Sequence, residues 1–363
     1  MGRQTVAVLG GGAGAHTMAV DLTDRGYDVH LCEHPDFAGT FQATLDAQAI
    51  EATGIGPQGT FPIHRVGTDI PAALAEAEWL HVVMPAIGHE VFFREMIPLF
   101  RDGHKVVVWA GDFGSLRLRR MLEEAGRLGA VTILETSTLP YGTRITGPGR
   151  IKLLLTAPHV LAGALPAACT AEVVQALHEM FPCISPCRNV LAAAFNNVNP
   201  IVHPPGSLLS TGRIEYSGGD FNMYREGITE SVARVIRGVY EESRNVARAL
   251  EFDMTEYRDI DFRTTSSIMG VEFTAPFDTA GVLAGIVGPR TVHDRYITED
   301  LPFGLVPRSQ FGQAVGLRTP LTDGIVSIGS AVCGEDYWQT GRTLDKLGLA
   351  GLDKAGILEV IEG

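Results

Sequence analysis

A run of small residues, Gly10-Gly11-Gly12-Ala13-Gly14-Ala15, restricts the fold of this chain more than any other segment. It follows a short apolar, β-rich stretch over 5–9 and leads into an amphipathic stretch through Met18, Ala19 and Leu22 that stops at Arg25-Gly26. Strand, glycine turn and helix in that order give the spacing Gly10-x-Gly12-x-x-Ala15 its meaning. Gly10 permits a tight turn, Gly12 lets a pyrophosphate approach the main chain, and small Ala15 lets the helix pack closely on the strand. The free N–H groups at the helix start then face the phosphates. The whole turn, Gly10, Gly11, Gly12, Ala13, Gly14 and Ala15, is therefore the candidate phosphate-binding segment for a dinucleotide.

A second strand over 28–32 ends at Glu33, close to the ~20 residues downstream at which an acidic group bonds the adenosine ribose 2′-hydroxyl. A carboxylate there opposes a 2′-phosphate and favours NAD(H). NADP(H) stays open, because His34 and Arg65 could be recruited to a phosphate. The plain structural alternative for Glu33 is a solvated strand end.

The alternation then repeats: helical 71–77, apolar 80–84, helical 89–100, strand 105–110, helix 115–128 and strand 131–134. Repeated βα units predict an α/β fold with a Rossmann-type, doubly wound parallel sheet. From about residue 189 the texture changes to long helical patterns, 189–197 and 227–250, between loops rich in Gly and Pro. A mainly α-helical C-terminal domain is expected there, with Val232, Val235, Ile236, Val239, Val246 and Leu250 as a helical core stripe. A chain of 363 residues exceeds what one core usually organises. Pro182 and Pro186 bracket a short connection, so the boundary is placed near Ser185-Pro186: 1–186 for the dinucleotide, 187–363 for substrate and catalysis.

Acidic residues outnumber basic ones 42 to 29, and the formal charge of −13 would repel phosphodiester backbones and anionic membrane surfaces. Neither nucleic acid nor membrane is an expected partner. The five cysteines are odd in number, widely spread and without paired ligand spacing, so they read as reduced thiols and no metal site is expected. No apolar run is long enough for a signal segment or a membrane span, which leaves a cytoplasmic location as the expectation.

The segment Asn196-Asn197-Val198-Asn199-Pro200-Ile201-Val202-His203-Pro204-Pro205-Gly206 resembles the catalytic-domain signature of the octopine/opine dehydrogenase family. Glu135 to Arg144 (ETSTLPYGTR) is similar to a family segment ending the first domain, and Tyr224 to Val232 (YREGITESV) to the start of its long helix. Arg295 to Pro307 (RYITEDLPFGLVP) and Gly341-Arg342-Thr343-Leu344 carry the similarity to the end of the chain. The resemblance implies an enzyme that condenses an α-keto acid with the amino group of an amino acid and reduces the imine with NAD(P)H. It implies that His203 is the catalytic histidine, Asp300 the catalytic aspartate and Arg295 an arginine binding substrate carboxylate. One departure, Tyr240-Glu241-Glu242-Ser243 in place of the family's frequent Asp-x-Glu-Arg, bears on the amine partner and on subunit contacts, for which a homodimer is one option.

Elementary chemistry points the same way. Reducing an imine or ketone requires a proton donor, and histidine, with an intrinsic pKa of about 6.5, is best poised for it. His203 is expected to end an apolar helical stretch before Pro204-Pro205, with its ring free to face a cleft. Asp300, or its neighbour Glu299, could fix the ring's tautomer and stabilise the imidazolium. The planar forks of Arg295 and Arg144 suit bidentate binding of substrate carboxylate. Asn197 and Asn199 could position a ligand or simply shape the turn before Pro200, and His16 is expected on a helix surface. Tyr141 and Tyr224 are the next proton donors should His203 not serve.

Two rival readings stand beside this one. A ketopantoate reductase or 3-hydroxyacid dehydrogenase shares the two-domain plan but typically uses a lysine, and no lysine occurs between Lys152 and Lys346. An inactive nicotinamide-binding sensor would have little use for intact His203, Asp300 and Arg295.

Overall fold

The computed structural model describes residues 3–263, 267–273 and 286–363. The chain forms two compact units, Met1–Val190 and Leu191–Gly363. In the first, twelve strands occur in order: β1 (Thr5–Leu9), β2 (Asp28–Cys32), β3 (Ala49–Gly54), β4 (Gly59–Pro62), β5 (Arg65–Gly67) and β6 (Trp79–Val82), then β7 (Lys105–Val108), β8 (Thr132–Thr136), β9 (Tyr141–Gly147), β10 (Arg150–Thr156), β11 (Val160–Leu165) and β12 (Ile184–Pro186).

Eight of them form one sheet in the order β12-β11-β8-β7-β6-β1-β2-β5. From β5 across to β8 all neighbours are parallel, and the chain winds outward from β1 in both directions. The glycine turn lies at the carboxyl end of β1, at the place where the winding reverses, which is where doubly wound sheets bind ligands. Val6, Val8, Val106 and Val108 are fully buried, as expected of strands covered on both faces. The sheet is not parallel throughout, because β11 runs antiparallel to β8 and carries β12 with it.

Between β8 and β11 the chain also enters an element absent from the sequence reading, a second sheet in the order β4-β3-β10-β9. It rests on the helix Ala13–Asp24 through two side-chain bonds, Thr17 Oγ1 to Thr143 Oγ1 at 2.8 Å and Tyr141 Oη to Asp21 Oδ2 at 2.6 Å. The predicted helices of this unit are present but shorter: Ile70–Leu74, His89–Met96 and Gly114–Glu124.

Among its described residues the second unit has no strand, only an isolated bridge between Asn222 and Gly288. Its longest helix, Glu230–Ala249, buries Val232, Ile236, Val239 and Val246, the expected stripe, with Leu250 buried at its C-cap and Val235 half-buried. The helix starts later than the apolar pattern does. Met223–Gly227 is a wide turn closed by Ile228 N–H to Met223 O at 2.8 Å, and Thr229 caps the helix proper. Among the described residues no helix is long and apolar enough to cross a membrane.

Candidate active site

In the first unit, Gly10 adopts φ +125°, and a Cβ there would sit 2.3 Å from the Val83 carbonyl oxygen, so the turn tolerates no side chain. Gly12 is the extended residue before the helix, and a Cβ on it would meet nothing within 4 Å. That open space is where a phosphate group could reach the main chain. Ala13 opens the helix, Gly14 packs against Leu139, and Ala15 is fully buried.

Glu33 follows β2 and folds back over the turn, accepting the His34 N–H at 2.7 Å, with Oε2 only 2.5 Å from where a Gly11 Cβ would be. Burial pushes its carboxyl above the ordinary range, and the His34 and Gly11 N–H groups pull it back. His34 itself is engaged by carboxylates, with Nε2 2.8 Å from Glu95 Oε1 and Nδ1 3.6 Å from Asp36 Oδ2. His16 is not on the surface. Its ring is buried, with Nε2 2.8 Å from Thr44 Oγ1, because the segment around Phe41 covers that face of the helix.

In the second unit, the helix Asn199–Leu208 does not stop at His203. It continues through Pro204 and Pro205 to Leu208, and every residue from Pro200 onward is buried. The two prolines forgo main-chain donors within the helix, and burial on all sides offsets the loss. His203 is therefore 6 % exposed rather than at a free helix end. Its Nδ1 lies 2.9 Å from Asp300 Oδ2, its Nε2 lies 2.9 Å from Tyr224 Oη, and Tyr296 stacks on its face at 3.9 Å.

Asp300 begins Asp300–Leu305, a second wide turn, closed by Val306 N–H to Leu301 O. This turn can lie against the His203 helix because Gly304 faces Pro200, where a Cβ would come within 2.3 Å of Pro200 Cγ. Wide turns of this kind are rare and frequent at functional sites; here they carry both groups bonded to the imidazole. Burial pushes the Asp300 carboxyl well above the usual carboxylate range, Glu299 adds to the push, and Arg295 and Arg308 oppose it.

Sequence reading missed two residues here. Tyr296 precedes Asp300 by four positions, one helical turn, and that spacing is the signal that could have placed both on the imidazole. Arg308 is buried, and its Nη2 donates to the carbonyls of Ala194 at 2.9 Å and Asn197 at 2.8 Å while Nη1 donates to Gly304 at 3.2 Å. It ties the start of the histidine helix to the Asp300 turn.

The other predicted residues are placed differently. Arg295 has a side chain 66 % exposed and paired with Glu299 at 3.3 Å. Asn199 is half-buried at the first position of its helix, its N–H bonded to Asn197 Oδ1 at 3.1 Å. Arg144 is exposed on β9 in the other unit, donating to the Thr143 carbonyl at 2.9 Å, and among the described residues it has no ion pair. Tyr141 is committed to Asp21.

A glycine turn at the reversal point of a doubly wound sheet, followed by a helical unit with a buried carboxylate–imidazole pair, is the arrangement of a dinucleotide-binding enzyme with an acid–base group. Residues 186–333 match the NAD/NADP octopine/nopaline dehydrogenase alpha-helical domain. The chain is 33% identical over 364 residues to an opine dehydrogenase of Arthrobacter sp. (strain 1C), covering 99% of each. It belongs to the opine dehydrogenase family, whose members are NAD(P)-dependent oxidoreductases. In fold it is similar to an octopine dehydrogenase solved with NADH and pyruvate, with a TM-score of 0.75 and 20% identity over 98% of each chain. A ketopantoate reductase from Ralstonia eutropha JMP134 is more distant, with a TM-score of 0.61 and 18% identity over 93% of this chain and all of that one.

Proposed function

We propose that this enzyme condenses a small α-keto acid with an amino acid and reduces the resulting imine to an N-(carboxyalkyl) amino acid, with NADH preferred. The observation that carries the proton chemistry is the Asp300–His203–Tyr224 chain, two contacts of 2.9 Å. Residues 1–186 hold the dinucleotide and residues 187–363 the acid–base group. The residues present fit the cofactor, since Gly12 leaves open main chain and Glu33 offers a carboxylate beside the turn.

Bound NADH would supply the hydride. Hydride arriving at the imine carbon leaves an electron pair on nitrogen, which must take a proton. Asp300 accepts Nδ1–H and so assigns the labile position to Nε2. Protonated Nε2 donates to Tyr224 Oη, whose own proton passes to the substrate nitrogen; the reverse oxidation runs the same path backwards. Tyr224→Phe is accordingly expected to lower kcat by about 10-fold or more and to alter its pH profile. A kcat and profile matching the unaltered enzyme would remove Tyr224 from the path.

Arg295, exposed and beside Asp300, binds the substrate carboxylate. Arg295→Ala should raise the KM for keto or amino acid well beyond any change for NADH, and an unmoved substrate KM would place Arg295 outside the site. Glu33 and the carboxylates around His34 oppose a 2′-phosphate. A kcat/KM with NADPH equal to or better than with NADH would contradict that reading. The reaction itself is tested by NADH oxidation over pyruvate and glyoxylate with each standard amino acid, and again without amine. Turnover only with amine present is expected.

A further inference from the structure

The first unit contains a cavity of about 330 Å³ that none of this chemistry uses. Its walls are the C-terminal half of the helix Ala13–Asp24, the strands β9 and β10, and the turn at Phe181 to Cys183. Along this helix Thr17 is the wall residue nearest the glycine turn, about 7.5 Å beyond Gly12, and Asp21 lies about 13 Å beyond it, so the polar end of the cavity is the farther from the turn. That volume is at the lower end for a ligand site and accommodates on the order of ten heavy atoms.

Three of its polar groups form one chain. Asp21 Oδ2 accepts the Tyr141 hydroxyl at 2.6 Å, and Asp21 Oδ1 accepts Arg25 Nε at 2.9 Å. Burial, followed by the Asp21 charge, pushes the Tyr141 phenol well above its usual range, so it stays a donor. Each carboxylate oxygen thereby holds one donor. The outer fork of Arg25, Nη1 and Nη2, has no partner among the described residues, and its side chain is 39% exposed. The remaining wall is largely apolar, with Val20, Leu153 and Phe181 prominent.

A cation would meet the charge of Arg25, which already compensates that of Asp21. A neutral apolar molecule would desolvate the fork without satisfying it, at a cost. A carboxylate satisfies it bidentately. We propose that this cavity is a binding site for a small monocarboxylate with an aliphatic or aromatic body, its carboxylate on the outer fork of Arg25 and its body against Leu153 and Phe181.

The test is calorimetric titration of the full chain with phenylacetate, with benzylamine as the cationic comparison. Phenylacetate is expected to bind with a Kd of ~1 mM or tighter, and benzylamine not to bind. Arg25→Gln should weaken phenylacetate at least ~10-fold, Leu153→Trp should fill the cavity and remove binding, and Arg295→Ala should leave it unchanged. No saturable binding, or binding lost in Arg295→Ala and kept in Arg25→Gln, overturns the proposal; the second outcome moves the ligand to the His203 unit. A measurement on the unaltered chain covers variants that fail to fold. Cys183 lines the cavity and is half-exposed, whereas Cys169 lies outside it. Phenylacetate should slow iodoacetamide labelling of Cys183 and leave Cys169 unaffected, and equal labelling of Cys183 with and without it also overturns the proposal.

Discussion

Replacing His203 with Asn is expected to lower kcat by about 10²–10⁴-fold, the contribution of a positioned acid–base group. NADH titration should change little, because the glycine turn and Glu33 belong to the first unit, Met1–Val190. Far-UV circular dichroism should stay that of the unaltered enzyme, since the helix Asn199–Leu208 is held by burial along its length rather than by the imidazole. Steady-state rates across the pH range decide the matter. Turnover close to the unaltered enzyme at every pH would falsify the role given to His203.

Asp300→Asn is expected to cost a comparable factor, roughly 10²–10⁴-fold in kcat, for two reasons. The amide can present its NH₂ to Nδ1 and so favour the wrong tautomer, and it removes the negative charge that stabilises the imidazolium. The sign of the pH effect follows from the second. Without the carboxylate the ring gives up its proton at lower pH, so the limb of imine reduction that needs protonated His203 should move to lower pH. The titration belongs to the pair rather than to either residue. The double variant should therefore be little slower than His203→Asn alone. Independent, multiplying losses, or an unmoved pH limb, would separate Asp300 from the proton path and leave it a structural role.

What could be read from the sequence was local. Gly10 and Gly12 are legible because backbone stereochemistry and close approach are set within one turn, and Glu33 because it directly follows the next strand, whose last residue Cys32 pairs with Leu9 of β1. The role proposed for His203 rests on its residue type and its signature segment, but its placement is not legible there. Two prolines argue for a helix end, and only the burial of Pro200 to Leu208, a tertiary fact, carries the helix through them. Arg308 is hidden for the same reason, since it acts on the Ala194 carbonyl 114 residues away. The second sheet depends on pairing Thr53 with Lys152, a contact with no local signature. Tyr296 and Asp300 are the instructive case: their one-turn spacing was visible, but it acquires meaning only once both are seen to meet the same imidazole.

The most direct measurement follows the hydride into the product. The enzyme is incubated with pyruvate, an amino acid that supports turnover, and NADH deuterated at the transferred position of nicotinamide C4, and the products are analysed by mass spectrometry. Imine reduction places the deuterium on the carbon newly bonded to nitrogen, giving an N-(1-carboxyethyl) amino acid one mass unit heavier, and the His203→Asn variant should form it far more slowly. Deuterated lactate, formed at the same rate with or without the amino acid, would contradict imine reduction and make the enzyme a keto-acid reductase.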